Sequence, residues 1–344
     1  MATSTVSLNE RSDIHNEGKR EKCNERAAFY KKPINKHNVR LAIDYEETPQ
    51  ETRRRMLLDE QKKNRNDAIN SARGILEDII ASDDEEVEMK EVEESEDMEV
   101  DQKKQKHHKL RREYGRLLML SEWMSEVPED FSENWVIMPC PIGKRVVIIA
   151  GKGTTRMFTR KGEKLATFRS LIPGGGRKYE KNCYTVLDGV WSEEKSICYI
   201  LDSMAWSDQQ INNCEAEFRF FWLKSKIEEL SGQLKEKVEG VNEVSMKLLP
   251  TFTSPSDLSD CLENTPDLYP LDGILFFHKE GHYFNGKTPL VTWLKVYMLP
   301  EVFGISIPEQ YDVKPEGYID YHNHILKEIA ESKSRIKDKK MEVA

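Results

Sequence analysis

The clearest hydrophobic pattern in the chain begins at Trp135. WVIMPCP (135–141) and KRVVIIAGKG (144–153) are dense, partly β-branched apolar runs divided by Pro141, Ile142 and Gly143, and they predict two strands. RMFTRKGEKLATF predicts a hairpin about Lys161 and Gly162, and YTVLDGVWSEEKSICYILDSMAW a second about SEEK. EAEFRFFWLKSKIEEL reads as a helix with aromatic residues on one side, and Ser254, Pro255, Ser256 and Asp257 supply the cap and first-turn proline of another. LDGILFFHK and PLVTWLKVYM are predicted as closing strands, LLMLSEWM as a short helix before the first strand, and residues 228–245 as a charged insertion. Strands, two helices and strands in that order argue for an α+β fold with antiparallel sheets. No repeat of solenoid period is visible.

Upstream the pattern fails in an informative way. ETRRRMLLDEQKKNRNDAINSARG (51–74) predicts a helix, yet from Asp59 to Asp67 it carries no large apolar residue that a core could bury. Arg53, Arg54, Arg55, Lys62, Lys63, Arg65 and Arg73 spread positive charge around the cylinder, while Leu57, Leu58, Ile69 and Ala72 give only short apolar patches. The expectation is a segment that does not fold against its own protein. It is either a solvated or disordered run, or a helix held by an acidic, concave partner.

Composition changes the reading of charge more than of fold. Among 344 residues, 38% hydrophobic and 33% charged side chains fit one real core plus solvated segments. The formal charge of −9 hides a division: Glu77 to Asp101 holds fourteen acids against one lysine, a local −13, which leaves +4 elsewhere. An acidic isoelectric point therefore does not exclude a nucleic-acid ligand. The expected divisions are a disordered N-terminus (1–23), a basic arm (24–80), a disordered acidic then Lys/His-rich linker (81–109), a folded domain (110–312) and a partly helical tail (313–344). Six cysteines without a CxxC pair are expected to be reduced, packed thiols in a cytosolic or nuclear protein. No signal-like segment or bilayer-length apolar run is visible, and His278 and His282 flank a turn, so neither membrane nor metal is expected.

The chain has no GxGxxG, GxxxxGK[ST] or HExxH motif, and the glycines of LIPGGGR (171–177) read as a plain turn rather than a phosphate cradle. LDGVW, LDGILFF and PLVTWLKVYM follow the order of the later motifs of covalent nucleotidyltransferases, the RNA-capping guanylyltransferases and DNA ligases. Those enzymes load a nucleotide on the lysine of K-x-D-G. Here the two Asp-Gly pairs, Asp188 with Gly189 and Asp272 with Gly273, are preceded two residues earlier by Val186 and Pro270. A pocket of that kind would hold a guanine nucleotide and release it unchanged, with no catalytic residue and no cofactor. Gly143, Lys144 and Arg145 offer a grip for phosphate, and Trp123 and Trp293, each beside polar or basic residues, offer indoles for a methylated, cationic guanine. Core packing is the competing reading of both tryptophans.

SEWMSEVPED, PCPIGKRVVIIA, TTRMFTRKG, SLIPGGGR, YTVLDGVW, EFRFFWLKSK, DGILFFHK and TPLVTWLKVYM together resemble the snurportin family of import adaptors, and the arm, with NERAAFYKK upstream, is similar to that family's importin-β-binding segment. The resemblance implies an antiparallel-sheet cap-binding domain like the nucleotidyltransferase core, preceded by a basic helical arm. It also implies two partners, importin-β and the 2,2,7-trimethylguanosine cap of spliceosomal U snRNA, and shuttling between cytoplasm and nucleus. Carried over by motif, Trp293 stacks on the methylated base, Ser121 bonds its edge, and Trp123 lies near the N2 methyls. Gly143, Lys144, Arg145 and Arg160 receive the triphosphate. Arg53, Arg54, Arg55, Lys62, Lys63, Arg65 and Arg73 meet importin-β. Arg160 stands where the family usually has lysine, and the N-terminus offers only Val6, Leu8 and Ile14, a departure from the spaced large apolar residues that the family presents to exportin. Two alternatives remain open: an active capping-type guanylyltransferase, and a general RNA-binding protein with an arginine-rich arm.

Overall fold

WVIMPCP is apolar without a break because both faces of its strand are covered. Trp135 and Ile137 enter one buried cluster, while Val136, Met138 and Cys140, half a period away, enter another. The same division recurs along Leu271–His278, where Ile274 and Phe276 face one cluster and Leu275 and Phe277 the other. These strands therefore lie inside a layered structure rather than on a solvated sheet.

The computed structural model describes residues 49–63, 114–176, 183–230, 232–264 and 271–342. In chain order the elements are α1 (Gln50–Lys63), β1 (Met119–Trp123), α2 (Phe131–Asn134), β2 (Trp135–Pro141), β3 (Lys144–Gly151), β4 (Thr154–Thr159), β5 (Lys164–Phe168), β6 (Tyr184–Ser192), β7 (Ile197–Trp206), β8 (Gln209–Gln210), α3 (Ala216–Glu229), β9 (Ser245–Leu248), α4 (Pro255–Asn264), β10 (Leu271–His278), β11 (Gly286–Leu294), α5 (Leu299–Phe303) and α6 (Tyr321–Glu342). All lie within one unit, Tyr45–Ala344. The N-terminal stretch with Val6, Leu8 and Ile14, the arm residues Arg65 and Arg73, and the acidic run Glu77 to Asp101 lie outside the described residues.

The fold is α+β, with two mainly antiparallel sheets. The smaller has the order β1-β11-β10-β2; the larger runs β5-β4-β3-β6-β7-β8, with β9 also paired to β7. Val147, Ile149, Val186 and Leu201 of the large sheet join Val136, Met138, Leu275 and Phe277 of the small one in a shared cluster. On the far side of the large sheet, Leu223 of α3 meets Val146, Ile148 and Ile200. On the far side of the small sheet, Leu258 and Leu262 of α4 and Leu299 of α5 cover Trp135, Ile137 and Phe276.

Both predicted hairpins form, with Gly162 at φ +76° in the first turn and Ser196 at φ +52° in the second. Two expectations are corrected. LLMLSEWM does not form a helix: Met119–Trp123 is a strand, parallel to β11. Leu, Met and Glu favour helix locally, but pairing with β11 and the burial of Met119 and Glu122 override that preference. PLVTWLKVYM is not one strand either. It leaves the sheet after Leu294: Val296–Met298 turns as a 3-10 helix that runs into α5 at Leu299, with Val296, Met298 and Leu299 all buried in the outer cluster.

The glycine loop is a plain turn. Gly174 has φ +89°, its carbonyl accepts from the Gly153 amide at 2.8 Å, and a Cβ on Gly175 would lie 2.3 Å from Thr155 Oγ1. Of the cysteines, Cys140 and Cys198 are buried, and burial pushes both thiols up to about 12. Among the described residues, no group of three His, Cys, Asp or Glu is placed to hold a metal, and no helix is long and apolar enough to cross a membrane.

His278 gives the fold a pH dependence. Its ring is 4% exposed and sits edge-on to Trp135 at 5.3 Å; burial lowers its pKa below 6.5 against the opposing pull of Asp130. The unfolded chain therefore binds the proton more readily, and stability present above pH 6.5 is lost as pH falls toward the depressed folded value. A thermal-melt series through that window should slope upward with pH. His278→Gln should flatten the slope; an unchanged slope would remove His278 as its source.

Candidate functional site

Trp123 and Trp293 are separated by 170 residues of chain, yet β1 and β11 place them in register as neighbours on adjacent parallel strands. Both are half-buried. Trp293 packs against the cluster between the sheets, and Trp123 against the outer cluster of the small sheet. Trp293 has room for its ring because residue 273 on β10 is glycine: a Cβ there would lie 2.5 Å from Trp293 Cζ2 and 2.8 Å from Cη2. Lys295 Nζ stands 5.6 Å from the Trp293 ring centroid and is ion-paired to Asp272. The indole thus already faces a cation. Trp123 meets His324 of α6 edge-on at 4.8 Å, and the Tyr321 hydroxyl donates to the Met124 carbonyl. α6 therefore braces the end of β1.

Ser121 lies on β1 two residues before Trp123, at the point where the register with β11 jumps from Thr288 to Thr292. Gly143 closes the turn into β3, where a Cβ would meet the Trp191 carbonyl at 2.5 Å. Lys144 is exposed and pairs with Glu193 at 2.5 Å. Arg160 is exposed at the β4–β5 tip, which abuts Gly115.

Arg145 departs from the expectation of an open phosphate contact. Its Nε and Nη2 bond both oxygens of fully buried Asp188 at 2.6 and 2.7 Å, and Nη2 also reaches the Met119 carbonyl of β1 at 3.4 Å. Tyr283 Oη donates to the same carboxylate at 2.6 Å and accepts from the Met119 amide at 3.0 Å. Burial by itself lowers the Arg145 pKa, but the Asp188 carboxylate overcomes this and holds the guanidinium charged. Arg145 is thus a brace between the sheets, joining β3 and β6 of one to β1 of the other. Sequence reasoning noticed Asp188 only as part of an Asp-Gly pair. Its partners, 43 and 95 residues away, carry no local signal.

The larger correction concerns α1. The expectation of a helix not folded against its own protein fails over Gln50–Lys63, which packs along β11 and the end of β1. Arg53 forms a bidentate pair with Glu122 at 2.6 and 2.8 Å. Gln50 donates to Glu122 Oε2 and to the Trp123 carbonyl, and accepts from the Ser125 amide. Arg54, 1% exposed, lies over the Trp135 ring at 4.6 Å, donates from Nε to the Pro289 carbonyl at 3.3 Å and pairs with Glu51. Burial lowers the Arg54 pKa against the pull of Glu51. Leu57 is buried, Gln61 accepts from the His282 amide, and Lys62 pairs with Glu280. Arg55, Lys62 and Lys63 face solvent. The helix lacks an apolar stripe because it buries guanidinium groups in place of one.

A family model described as Snurportin1, m3G cap-binding domain, matches residues 117–296. Solved structures that resemble the chain include a mycobacterial DNA ligase D complexed with ATP and MES, at 13% identity and TM-score 0.35 over 52% of this chain and 60% of that one. Another is the ligase domain of M. tuberculosis LigD, at 13% identity and TM-score 0.33 over 51% of this chain and 57% of that chain. A third comes from work on Lig E DNA ligases, at 16% identity and TM-score 0.32 over 52% and 67%. Likenesses this weak carry no argument about activity.

Proposed function

This chain belongs to the snurportin family, and from that membership we propose that it is a non-enzymatic adaptor linking trimethylguanosine-capped U snRNA to importin-β and shuttling between cytoplasm and nucleus. The supporting observation is the register of Trp123, on the edge strand β1, with Trp293 on the adjoining β11, where Gly273 makes room for the second indole. A 7-methylated guanine carries positive charge, and Trp293 already attracts an amine, that of Lys295. In this reading the base stacks on Trp293, Ser121 bonds its edge, and Trp123 offers an apolar wall to methyl groups that have replaced donor protons. Lys144 and Arg160, both exposed, receive phosphate beside Gly143, while Arg145 acts through the position of β1.

Tryptophan-fluorescence titration with trimethylated and monomethylated cap dinucleotides tests the reading. We expect saturable quenching by the trimethylated cap that excess uncapped RNA does not reverse. Equal competition by uncapped RNA with a steep salt slope would favour general RNA binding instead. Incubation with labelled GTP and magnesium should leave no covalent adduct, since no lysine precedes Asp188 or Asp272 by two residues.

Importin-β is the partner of the basic arm in this proposal. Arg55→Glu, Lys62→Glu and Lys63→Glu together reverse three exposed charges without touching the buried face of α1. The triple variant should lose importin-β in a pull-down and keep cap affinity. Retained capture would show that the arm's charge does not hold that partner.

A further inference from the structure

The residues that make α1 attractive to an acidic partner are in part turned inward. Arg53 and Arg54 are 8% and 1% exposed, and their guanidinium groups face Glu122, Trp135 and the Pro289 carbonyl. Glu122 is itself buried and takes three hydrogen bonds from this helix, two from Arg53 and one from Gln50. Pro289 has a carbonyl to offer because the β1–β11 register skips from Thr288 to Thr292 at this point. The domain thus presents a site built for a basic helix: a buried carboxylate, an indole face and two main-chain carbonyls within one patch.

We propose that this patch is a docking site for the chain's own helix, Gln50–Lys63, and that docking there and capture by importin-β exclude each other. The proposal rests on the adaptor reading for the identity of the competitor, and on the contacts above for the site. A partner that grips Arg53 or Arg54 must first draw them away from Glu122 and Trp135. Docking is strong enough to order the helix yet open to competition. Arg54 Nη2 is buried without a hydrogen-bond acceptor, an unmet cost that release into water removes. Lys62 and Glu280 meet at the surface, where an ion pair contributes little. Met56, on the helix, is 42% exposed, so the docked helix covers only one of its own sides. An undocked helix would leave the Glu122 carboxylate without these three donors. The same site therefore favours return of the helix once the competitor leaves.

Glu122 stands outside the residues assigned to either ligand, and the full-length chain varied there separates the possibilities. Glu122→Lys opposes Arg53 with a like charge; Glu122→Gln retains the side-chain shape and removes the charge. Hydrogen exchange on the parent should show slow amides over Leu57–Lys63, and Glu122→Lys should speed them toward the rates of a solvated helix. Importin-β should bind Glu122→Lys on the order of tenfold more tightly than the parent, because the competent state no longer has to be freed first. Glu122→Gln should fall between the two. If Glu122→Lys melts at a lowered temperature, Glu122→Gln carries the comparison.

Equal exchange over Leu57–Lys63 in parent and folded variants would overturn the docking site. Equal importin-β affinity with altered exchange would overturn mutual exclusion. If importin-β binds neither parent nor variant while exchange still responds to Glu122, the adaptor reading fails and exclusion falls with it; self-docking of the helix alone is supported.

Discussion

Trp293→Ala should bind a trimethylated cap dinucleotide about tenfold to over a hundredfold more weakly than the parent, the ~1–3 kcal/mol typical of one stacked base. The loss should be selective, because Lys144 and Arg160 lie on other strands and turns and their charge is untouched. Trp293→Phe should restore part of the affinity through its smaller ring. Trp293 also packs against the cluster between the sheets, so melting temperature must be followed beside affinity. Gly273→Ala is the complementary variant: its methyl would sit 2.5 Å from Trp293 Cζ2 and against the Leu294 carbonyl, displacing the ring and straining the β11 main chain, so its melting temperature is followed too. A folded Trp293→Ala that binds the cap like the parent would end the stacking assignment and pass it to Trp123.

The second large effect is on the fold. Asp188→Ala should destabilise the chain by about 3–5 kcal/mol, because it leaves the Arg145 guanidinium in the interior without its carboxylate. For a unit of this size that corresponds to a fall of roughly 6–20 °C in thermal midpoint. Asp188→Asn keeps an acceptor for Tyr283 or Arg145 but not the charge, and should fall between the parent and Asp188→Ala. Since Arg145 and Tyr283 both hold Met119 of β1, the alanine variant should also loosen the strand that bears Ser121 and Trp123. A circular-dichroism melt measures the first effect, and cap titration well below the midpoint measures the second. A midpoint like the parent's would mean that the network is redundant.

Much of the sheet architecture was legible because its signals are local. SEEK and Lys161 with Gly162 sit at real turns, and continuous apolar runs such as VVIIA mark strands buried on both faces. β1 was illegible for the opposite reason: five residues of mixed helix preference become a strand only beside β11, whose paired residues lie more than 160 positions later. The tryptophans and basic residues of the candidate site were visible as types in motifs. What was not visible is how they are held. Arg53 looks like a solvated charge until Glu122, 69 residues on, appears beside it. Trp293 gives no hint that its ring depends on a missing side chain at position 273. Pairings of this kind depend on tertiary distance, and neither hydrophobic period nor residue spacing encodes it.

The contact of α6 with the end of β1 changes what counts as a harmless truncation. Every described strand is complete by Leu294 and the covering helix α5 by Phe303, so a premature stop codon just before Tyr321 would preserve both sheets and the apolar cover of the smaller one. It would nonetheless delete the hydroxyl that holds the Met124 carbonyl and the imidazole against the edge of Trp123. A nonsense allele of that kind would combine an intact scaffold with an unsupported Trp123, and belongs phenotypically with substitutions at that tryptophan rather than with losses of a dispensable tail.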